Sequence, residues 1–503
     1  MQNLARLSRN LSGAATAIES NRGEVSRRSL LAGMGTLAGI AAAATTFSAE
    51  PPTFGRTNVK HRLLRRISYG VTVLDQNRIA RMSYSRILEE QLNPSRIDDT
   101  ECQNALQSRY PRVFMSVGQL GAISDDWITV QQLGEATIYR AAFSKRQLLE
   151  RMVEFWSDHF NVNIDKTGGW LFTEMHNAAI RQHALGKFPD MLKAVAHSPA
   201  MLYYLDNPDN YGDFGNINYA RELLELHSLS PASGYTAADI RNVARCFSGW
   251  EFQWNSGSPD YGQFLFDEDK HSNLPKTFMG RNVPPGGQSE GEWILDFLGK
   301  HVSTARFISK KLCKFFYGYE PPNSLVEVVA KRYLATGGDI RAMLRLILTS
   351  QRMSSAPWKL KRPYHLIING LRNMDADIEP DMWTLRYDFI DRAGNLPFFW
   401  EPPDGYPDRV DYWANLLLPR WNFALSLPKD YVWGVKVESI ALMAGANTPT
   451  LVANRINKLL FCGEMNAQDL ADLKTFLAAG TLDEERIEGA LALAMASPSF
   501  QWF

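Results

Sequence analysis

Two helix-forming segments separated by a short turn constrain the fold of this chain more than any other feature, and they occupy residues 216–250. The first begins near Asn218, a residue type that accepts hydrogen bonds from the free N–H groups of a first helical turn. The second begins at Thr236 and has Asp239 three residues later, which approximates a capping box. Gly234 lies in the turn between them. The pattern predicts a helical hairpin with a polar junction.

Helical periodicity continues through most of the remaining chain. From Trp127 to Phe160, apolar residues recur at the spacing of one helix face. Residues 262–283 carry fewer helix signals, and there Phe264–Phe266 and Thr277–Met279 are spaced to pair as a hairpin. The sequence therefore predicts a mainly α fold, a single compact multi-helix body with a small β-hairpin region near residues 262–283.

The first 49 residues differ from the rest. Arg27 and Arg28 precede the Ala- and Gly-rich apolar run 30–44, and this arrangement resembles a twin-arginine export signal. The run is shorter than the ~20 residues of a membrane-spanning helix. We therefore predict an export signal over residues 1–49, with a disordered n-region and an apolar helix. This implies a periplasmic or secreted protein, attached to a membrane only if the signal is uncleaved; the alternative is a buried apolar N-terminal helix.

No Pro-, Gly- or Ser-rich linker divides the chain after residue 50. The sequence predicts one helical domain over residues 50–420 and C-terminal helices over residues 421–503 that pack on the same body. The 13 Trp and 26 Phe residues can fill a large core. The formal net charge is zero, so we expect no nucleic-acid partner, because phosphate binding normally requires a basic surface.

Histidine and glutamate residues near predicted helix ends are the candidates for chemistry, because neutral imidazole is a common metal ligand and general base. Glu222 and Glu225 share one helix face, whereas His227 points away from both. One helix cannot assemble the site, so other segments must converge on Glu222. We predict that a divalent metal, if one binds, is held by the residues that are also catalytic candidates: His159, His183, Glu222 and His271. The candidates for stabilising an anion or positioning a substrate are Arg181, Arg221 and Lys276.

Each candidate also has a structural explanation. A histidine on an apolar face, such as His159, is more often a hydrogen-bonded core residue than a ligand. For Glu222 and Glu225 the structural alternative is pairing with Arg221 and other exposed basic residues, and Arg181 can bridge two helices. The sequence contains neither an HExxH motif nor a Gly-x-Ser-x-Gly nucleophile elbow.

Several motifs follow one another in order along residues 60–420. They include Phe155-Trp156-x-x-His159-Phe160, Arg181-x-His183-Ala184-Leu185-Gly186, Asn218-Tyr219-Ala220-Arg221-Glu222-Leu223-Leu224-Glu225-Leu226-His227, Lys310-x-Leu312 and Pro403-x-Gly405-Tyr406-Pro407. This ordered set resembles the bacterial family called domain of unknown function 1800.

The resemblance implies an exported, largely helical protein whose gene often neighbours that of a sulfatase-like exported protein. The family pattern has a His, a Glu and an Asp where this chain has Ser157, Ile217 and Ser272. If those groups line a metal or acid–base site, this chain lacks part of it and is a divergent member.

Two functions therefore stay open. One is an exported soluble enzyme of the hydrolase type, assisted by a metal. The other is a non-catalytic secreted scaffold or binding partner of the sulfatase-like exported protein. Grouping of the predicted site residues around one cleft favours the enzyme, whereas their separation into different helix contacts favours the scaffold.

Overall fold

Helices form most of the molecule in the computed structural model, which describes residues 50–55 and 57–503. The predicted export signal lies outside these residues and stays a prediction. The first α-helices are α1 (Val59–Ile67), α2 (Val73–Ala80), α3 (Tyr84–Leu92), α4 (Thr100–Arg109), α5 (Val117–Gly121), α6 (Asp126–Phe143), α7 (Gln147–His159), α8 (Ile164–Thr167), α9 (Gly169–Glu174), α10 (Phe188–Ala196), α11 (Pro199–Tyr204), α12 (Asn218–Glu225) and α13 (Ala237–Cys246).

The second half of the chain is built in the same way. Its α-helices are α14 (Ser289–Lys300), α15 (Val302–Phe316), α16 (Asn323–Thr336), α17 (Ile340–Ile347), α18 (Ser350–Ser355), α19 (Pro363–Asn373), α20 (Val410–Trp413), α21 (Leu417–Ser426), α22 (Ser439–Leu442), α23 (Pro449–Phe461), α24 (Ala467–Ala478), α25 (Glu484–Ala496) and α26 (Pro498–Gln501). Two π-helices, Met175–Arg181 and Thr384–Asp391, join them. No helix within the described residues is long and apolar enough to cross a membrane.

The described residues also form three small two-stranded antiparallel sheets: β1 (Trp250–Phe252) with β2 (Phe264–Phe266), β3 (Thr277–Phe278) with β4 (Arg281–Asn282), and β5 (Asp377–Ile378) with β6 (Val435–Lys436). The mainly α prediction with small hairpins is confirmed. The predicted pairing of β2 with the segment at 277–279 is wrong. Met279 and Gly280 both have positive φ, at 48° and 75°, which forms the tight turn that returns β3 directly onto β4.

The helical hairpin predicted within residues 216–250 is present as α12 and α13. The capping box of α13 is confirmed, because Thr236 Oγ1 accepts from the Asp239 N–H at 3.1 Å and Asp239 Oδ2 accepts from the Thr236 N–H at 2.8 Å. Asn218 does not cap α12. It is the first helical residue, and its amide group donates to the Leu205 carbonyl at 3.3 Å.

The predicted helix from Trp127 to Phe160 is two helices, α6 and α7, because the backbone is extended at Ser144. The buried Asp99 carboxylate accepts from the Ser144 hydroxyl at 3.0 Å and from the Lys145 N–H at 2.7 Å, so this break is held by side-chain hydrogen bonds. After the break, α7 buries most of its residues, including the fully buried Trp156. The last turn of α7 is thereby fixed in the core, and the candidate site forms around it.

Candidate functional site

The Pro-rich segment 397–407 folds over the end of α7. Asn161, just after α7, donates from Nδ2 to the carbonyls of Trp400 at 2.9 Å and Pro402 at 2.7 Å. The hydroxyl of Tyr204 donates to the carbonyl of Glu401. These bonds attach the first half of the segment to two helices, so its second half has a fixed place beside α7.

Gly405 brings the same segment into direct contact with α7. It has φ of +74°, and a Cβ added there would lie 2.0 Å from the carbonyl oxygen of Asp158. Only glycine adopts this conformation without strain and leaves room for that carbonyl. The neighbouring Asp404 is consequently held at the rim of the site, where its carboxylate accepts from Trp400 Nε1 at 3.0 Å.

Lys311 of α15 meets α7 from the other side. Its Nζ lies 2.8 Å from His159 Nδ1, and His159 Nε2 lies 3.2 Å from the His227 carbonyl oxygen. A carbonyl oxygen only accepts, so Nε2 carries the ring proton and Nδ1 accepts from Lys311. Both ring nitrogens of His159 are thus engaged, and Lys311 forms no ion pair with any residue that the structure describes.

Burial governs the ionisation of this pair. It lowers the pKa of Lys311 to about 8, while the nearby Asp158 and Asp404 carboxylates partly oppose it. Burial also holds the pKa of His159 well below 6.5, and the positive charge of Lys311 lowers it further. His159 is therefore a neutral imidazole at ordinary pH, and the amine is the group that titrates.

Glu222 is the last member of this group of polar residues, and it interacts electrostatically with Asp404. It is half-buried, and its pKa is raised by burial first and then by the carboxylates of Glu225 and Asp404. Asp404 is thus close enough to influence both Glu222 and Lys311. We call Lys311, His159, Asp158, Asp404 and Glu222 the Lys311 cluster.

Asp158 faces the interior, where it pairs with Nη1 of Arg362. With Ser157 and the phenol of Tyr406 it lines a small cavity of about 40 Å³ under the Pro-rich segment. The Ser157 hydroxyl is buried there without a hydrogen-bond partner among the described residues. Burial raises the pKa of Asp158 to about 6, and Arg362 offsets only part of that rise.

This raised pKa predicts a pH dependence of stability. From about pH 4 to pH 6 the folded protein binds the Asp158 proton more tightly than the unfolded chain does, so the stability that Asp158 contributes is largest at about pH 4 and lost as pH rises through 6. Relative to wild type, Asp158→Asn should gain about 2–3 kcal/mol in free energy of unfolding from pH 4 to pH 7. Urea unfolding followed by circular dichroism at each pH measures this difference. Asp260→Asn, at an exposed carboxyl, is the control, and an unchanged difference across this range would contradict the raised pKa.

The other predicted site residues lie in different environments. Arg181 forms a two-bond ion pair with Glu150 of α7, at 2.8 and 2.7 Å. Its pKa is raised because the Glu150 carboxylate outweighs burial. Its guanidinium is committed to joining a π-helix to α7, which is the structural alternative weighed for it above.

His271 and Lys276 share one carboxylate instead. Lys276 Nζ lies 2.6 Å and His271 Nε2 lies 3.2 Å from Glu290 Oε2, and all three side chains are buried. His271 Nδ1 donates to the Ser248 carbonyl at 2.8 Å. We call these residues the Glu290 triad; it joins the loop before β3 to α14.

His183 and Arg221 belong to neither group. His183 is half-buried and Arg221 is exposed, and neither side chain hydrogen-bonds to a residue described by the structure. Within residues 50–55 and 57–503, no three His, Cys, Asp or Glu side chains are grouped closely enough to hold a metal ion. Within the described residues, His159, His183, Glu222 and His271 are therefore not grouped as the predicted metal centre.

The positions where this chain departs from the family pattern are also separated by environment. Ser157 lines the cavity beside Asp158, Ile217 precedes α12, and the hydroxyl of Ser272 donates to Asp213 Oδ1 at 2.6 Å. Ser157 alone of the three is a direct neighbour of the Lys311 cluster.

Sequence reasoning missed Lys311, Asp158 and Asp404. Each occupies an unspecified position inside a motif quoted above. Lys311 is the x directly before Leu312, Asp158 is the x directly before His159, and Asp404 is the x directly before Gly405. The motifs mark the segments that meet here, but several of the charged side chains stand at positions that the motifs leave open.

Comparison with known proteins gives a family and nothing finer. A family model described as "Protein of unknown function (DUF1800)" matches residues 62–502. No curated protein and no solved structure matches the chain.

Proposed function

The chain belongs to the DUF1800 family, and we propose that this member is an enzyme that acts by acid–base catalysis, with Lys311 as the group that transfers the proton. The observation that carries the proposal is the bond between the Lys311 amine and a neutral imidazole, 2.8 Å away, in place of an ion pair with a carboxylate. With a pKa of about 8, roughly one amine in ten is unprotonated at pH 7, far more than for an ordinary lysine. Such an amine is a general base.

His159 positions this base. A neutral amine that donates one N–H to His159 Nδ1 keeps its lone pair free for a proton on a bound molecule. Because the pKa of His159 is held far below neutrality, the imidazole does not compete for that proton. His159 is thus a positioning residue in this proposal, and Lys311 is the catalytic residue.

Glu222 and Asp404 limit what can approach. Asp404 acts electrostatically on both Glu222 and Lys311. The two carboxylates disfavour the approach of a substrate of net negative charge. Hydrolysis of a neutral or cationic small molecule fits best: the amine takes a proton from water as the water oxygen attacks the scissile bond, and then returns the proton to the leaving group.

The reactivity of Lys311 tests the first half of the proposal. Labelling with limiting acetic anhydride at a series of pH values, followed by mass spectrometry, gives the rate at each lysine. We expect the rate at Lys311 to reach half its maximum near pH 8, against about 10.4 for an unperturbed lysine. The neighbouring exposed Lys310 is the internal control. A half-maximum at Lys311 equal to that of Lys310 would overturn the proposal.

A substrate panel tests the second half. Purified wild type, Lys311→Met and Lys310→Met are assayed on neutral and cationic chromogenic esters, amides and glycosides. We expect turnover in wild type and Lys310→Met and a loss of at least about 100-fold in Lys311→Met, the usual contribution of a general base. Equal rates in all three proteins, or no turnover, would contradict an enzyme and favour the binding function below.

A binding function has one observation in its favour. Trp383, Tyr431 and Trp433 expose 48%, 72% and 71% of their surface. Gly434, next to Trp433, lies against the carbonyl of Asp381, two residues before Trp383. Exposed Trp and Tyr residues are enriched where proteins bind partners. A partner protein, such as the sulfatase-like neighbour that the family resemblance implies, is the second candidate.

A further inference from the structure

A surface groove lies between α23 and the loop that leads into it, residues 443–448. Its volume is about 340 Å³, which falls within the range of small-molecule sites, roughly 300–1,000 Å³. The residues that line it are Gly445, Ala446, Leu451, Asn454, Arg455 and Lys458. None of them belongs to the Lys311 cluster or the Glu290 triad. We call it the α23 groove.

The α23 groove has an apolar end and a charged end, because its residues are spaced along one face of the helix. Arg455 follows Leu451 by four positions and Lys458 follows Arg455 by three, so the three side chains share that face. At a rise of 1.5 Å per residue, Lys458 lies about 10 Å along the helix from Leu451. Leu451 has 47% of its surface exposed, so apolar surface is available to a ligand at that end.

The loop side of the groove is open, and its position is fixed by α23. Gly445 has no side chain, and a Cβ added there would meet no other atom within 4 Å. Nη2 of Arg455 donates to the Ala444 carbonyl at 3.1 Å. The other guanidinium nitrogens of Arg455 form no hydrogen bond with any residue that the structure describes. The guanidinium is thus held beside the groove with donors to spare.

Both charged side chains that line the groove are cations. Arg455 and Lys458 are exposed, and neither forms an ion pair with a residue in 50–55 or 57–503. The lining contains no carboxylate. The exposed amide of Asn454 is a further donor on the same helix, and it has no hydrogen-bond partner in the described part of the chain. An anion at this end of the groove would therefore meet two unpaired cations and one neutral donor.

We propose that the α23 groove binds a soluble phosphate monoester that carries a short apolar group. The phosphate would lie against Arg455, Lys458 and Asn454. The apolar group would lie against Leu451. A phosphate monoester carries about −1.5 to −2 charges at neutral pH and has three acceptor oxygens, which matches two cations and three donor side chains. A carboxylate would neutralise only one of the cations. Leu451 is the one large apolar residue in the lining, so a short organic group fits better than the acyl chain of a lipid.

Isothermal titration calorimetry with the full-length protein tests this, with phenyl phosphate, inorganic phosphate and benzoate as ligands. We expect phenyl phosphate to bind about tenfold more tightly than the other two, because inorganic phosphate lacks the ring and benzoate lacks the second charge. Arg455→Met and Lys458→Met should each weaken the binding of phenyl phosphate by about tenfold, as expected for the loss of one charged contact. Leu451→Ser should reduce the affinity for phenyl phosphate to that for inorganic phosphate.

Arg241→Met, at an exposed arginine outside the groove, is the control and should bind like wild type. All the replaced side chains are exposed, and unfolding curves that match wild type would verify the fold of each variant. The Lys458 side chain forms no hydrogen bond or ion pair with a described residue, so Lys458→Met tests the charge even if Arg455→Met moves the loop.

Flotation with phosphatidylcholine vesicles that contain phosphatidic acid distinguishes a lipid source of the phosphate group from a soluble one. A Kd for phenyl phosphate weaker than about 1 mM would overturn the proposal. Equal affinity of wild type and Lys458→Met for phenyl phosphate, or binding to the vesicles without binding to phenyl phosphate, would overturn it as well.

Discussion

Arg362→Met is expected to lower the free energy of unfolding by about 3–5 kcal/mol, which is the usual effect of removing one partner from a buried ion pair. The Arg362 side chain is only 10% exposed, and its guanidinium contacts Asp158 while lying 4.0 Å from Glu154 and 3.9 Å from Asp408. Methionine keeps the apolar length of the side chain but leaves Asp158 without its ion-pair partner, whereas Glu154 keeps Arg151 and Asp408 keeps Lys359. Urea unfolding at neutral pH measures the loss.

Arg345→Met is the matched control, because Arg345 forms a two-bond pair with Glu89 on the surface. Exposed pairs of this kind contribute about 0–1 kcal/mol. If Arg362→Met cost no more than Arg345→Met, Asp158 would have to be protonated in the native protein at neutral pH, and the electrostatic account of the α7 end would be wrong.

The second large effect is expected at the Glu290 triad. Glu290→Gln should destabilise the protein by about 3–5 kcal/mol, because it leaves the buried Lys276 ammonium without a carboxylate. The side chains of Lys276 and Glu290 are 1% and 6% exposed, so solvent cannot replace the lost charge. His271 Nε2 loses the same partner. The measurement is again urea unfolding followed by circular dichroism.

Glu327→Gln serves as the control for this variant. Glu327 pairs with Arg306 at 3.0 Å on the surface, where both side chains are about half exposed, and a loss of at most about 1 kcal/mol is expected. Adding Lys276→Met to Glu290→Gln should recover part of the lost stability, since it removes the unpaired cation. A double variant as unstable as the sum of two independent losses would contradict the proposed coupling.

The fold followed from local chemistry in the sequence. The Thr236–Asp239 capping box forms within four residues, and the apolar periodicity that predicts α7 is contained in the thirteen residues of that helix. Where local signals were wrong, a longer-range contact decided the structure. The break between α6 and α7 depends on Asp99, 45 positions before Ser144, and the partner of β2 is β1, on the far side of a loop.

The candidate site could be predicted only in part, because ion pairing decides what each charged residue does. Lys311 lies 152 positions from His159, and Arg362 lies 204 positions from Asp158. Without the fold, Arg181 and Lys276 are equally plausible as free cations, yet each has a carboxylate of its own. His159 is a residue that the sequence singled out, but its partner Lys311 is one of many lysines in the sequence and no local pattern distinguishes it.

The buried ion pairs on α7 and beside it also affect how the stability of the protein changes with temperature. The free-energy penalty for removing charged groups from water falls as temperature rises, because their hydration carries a strongly negative entropy. Hydrophobic stabilisation per unit area, in contrast, levels off. The paired charges of Arg362 with Asp158, Lys359 with Asp408 and Arg181 with Glu150 therefore oppose folding less in a warm protein than in a cold one. On heating, the ionic contacts of α7 therefore contribute a larger share of the stability that holds this helix in place, and its apolar face contributes a smaller share.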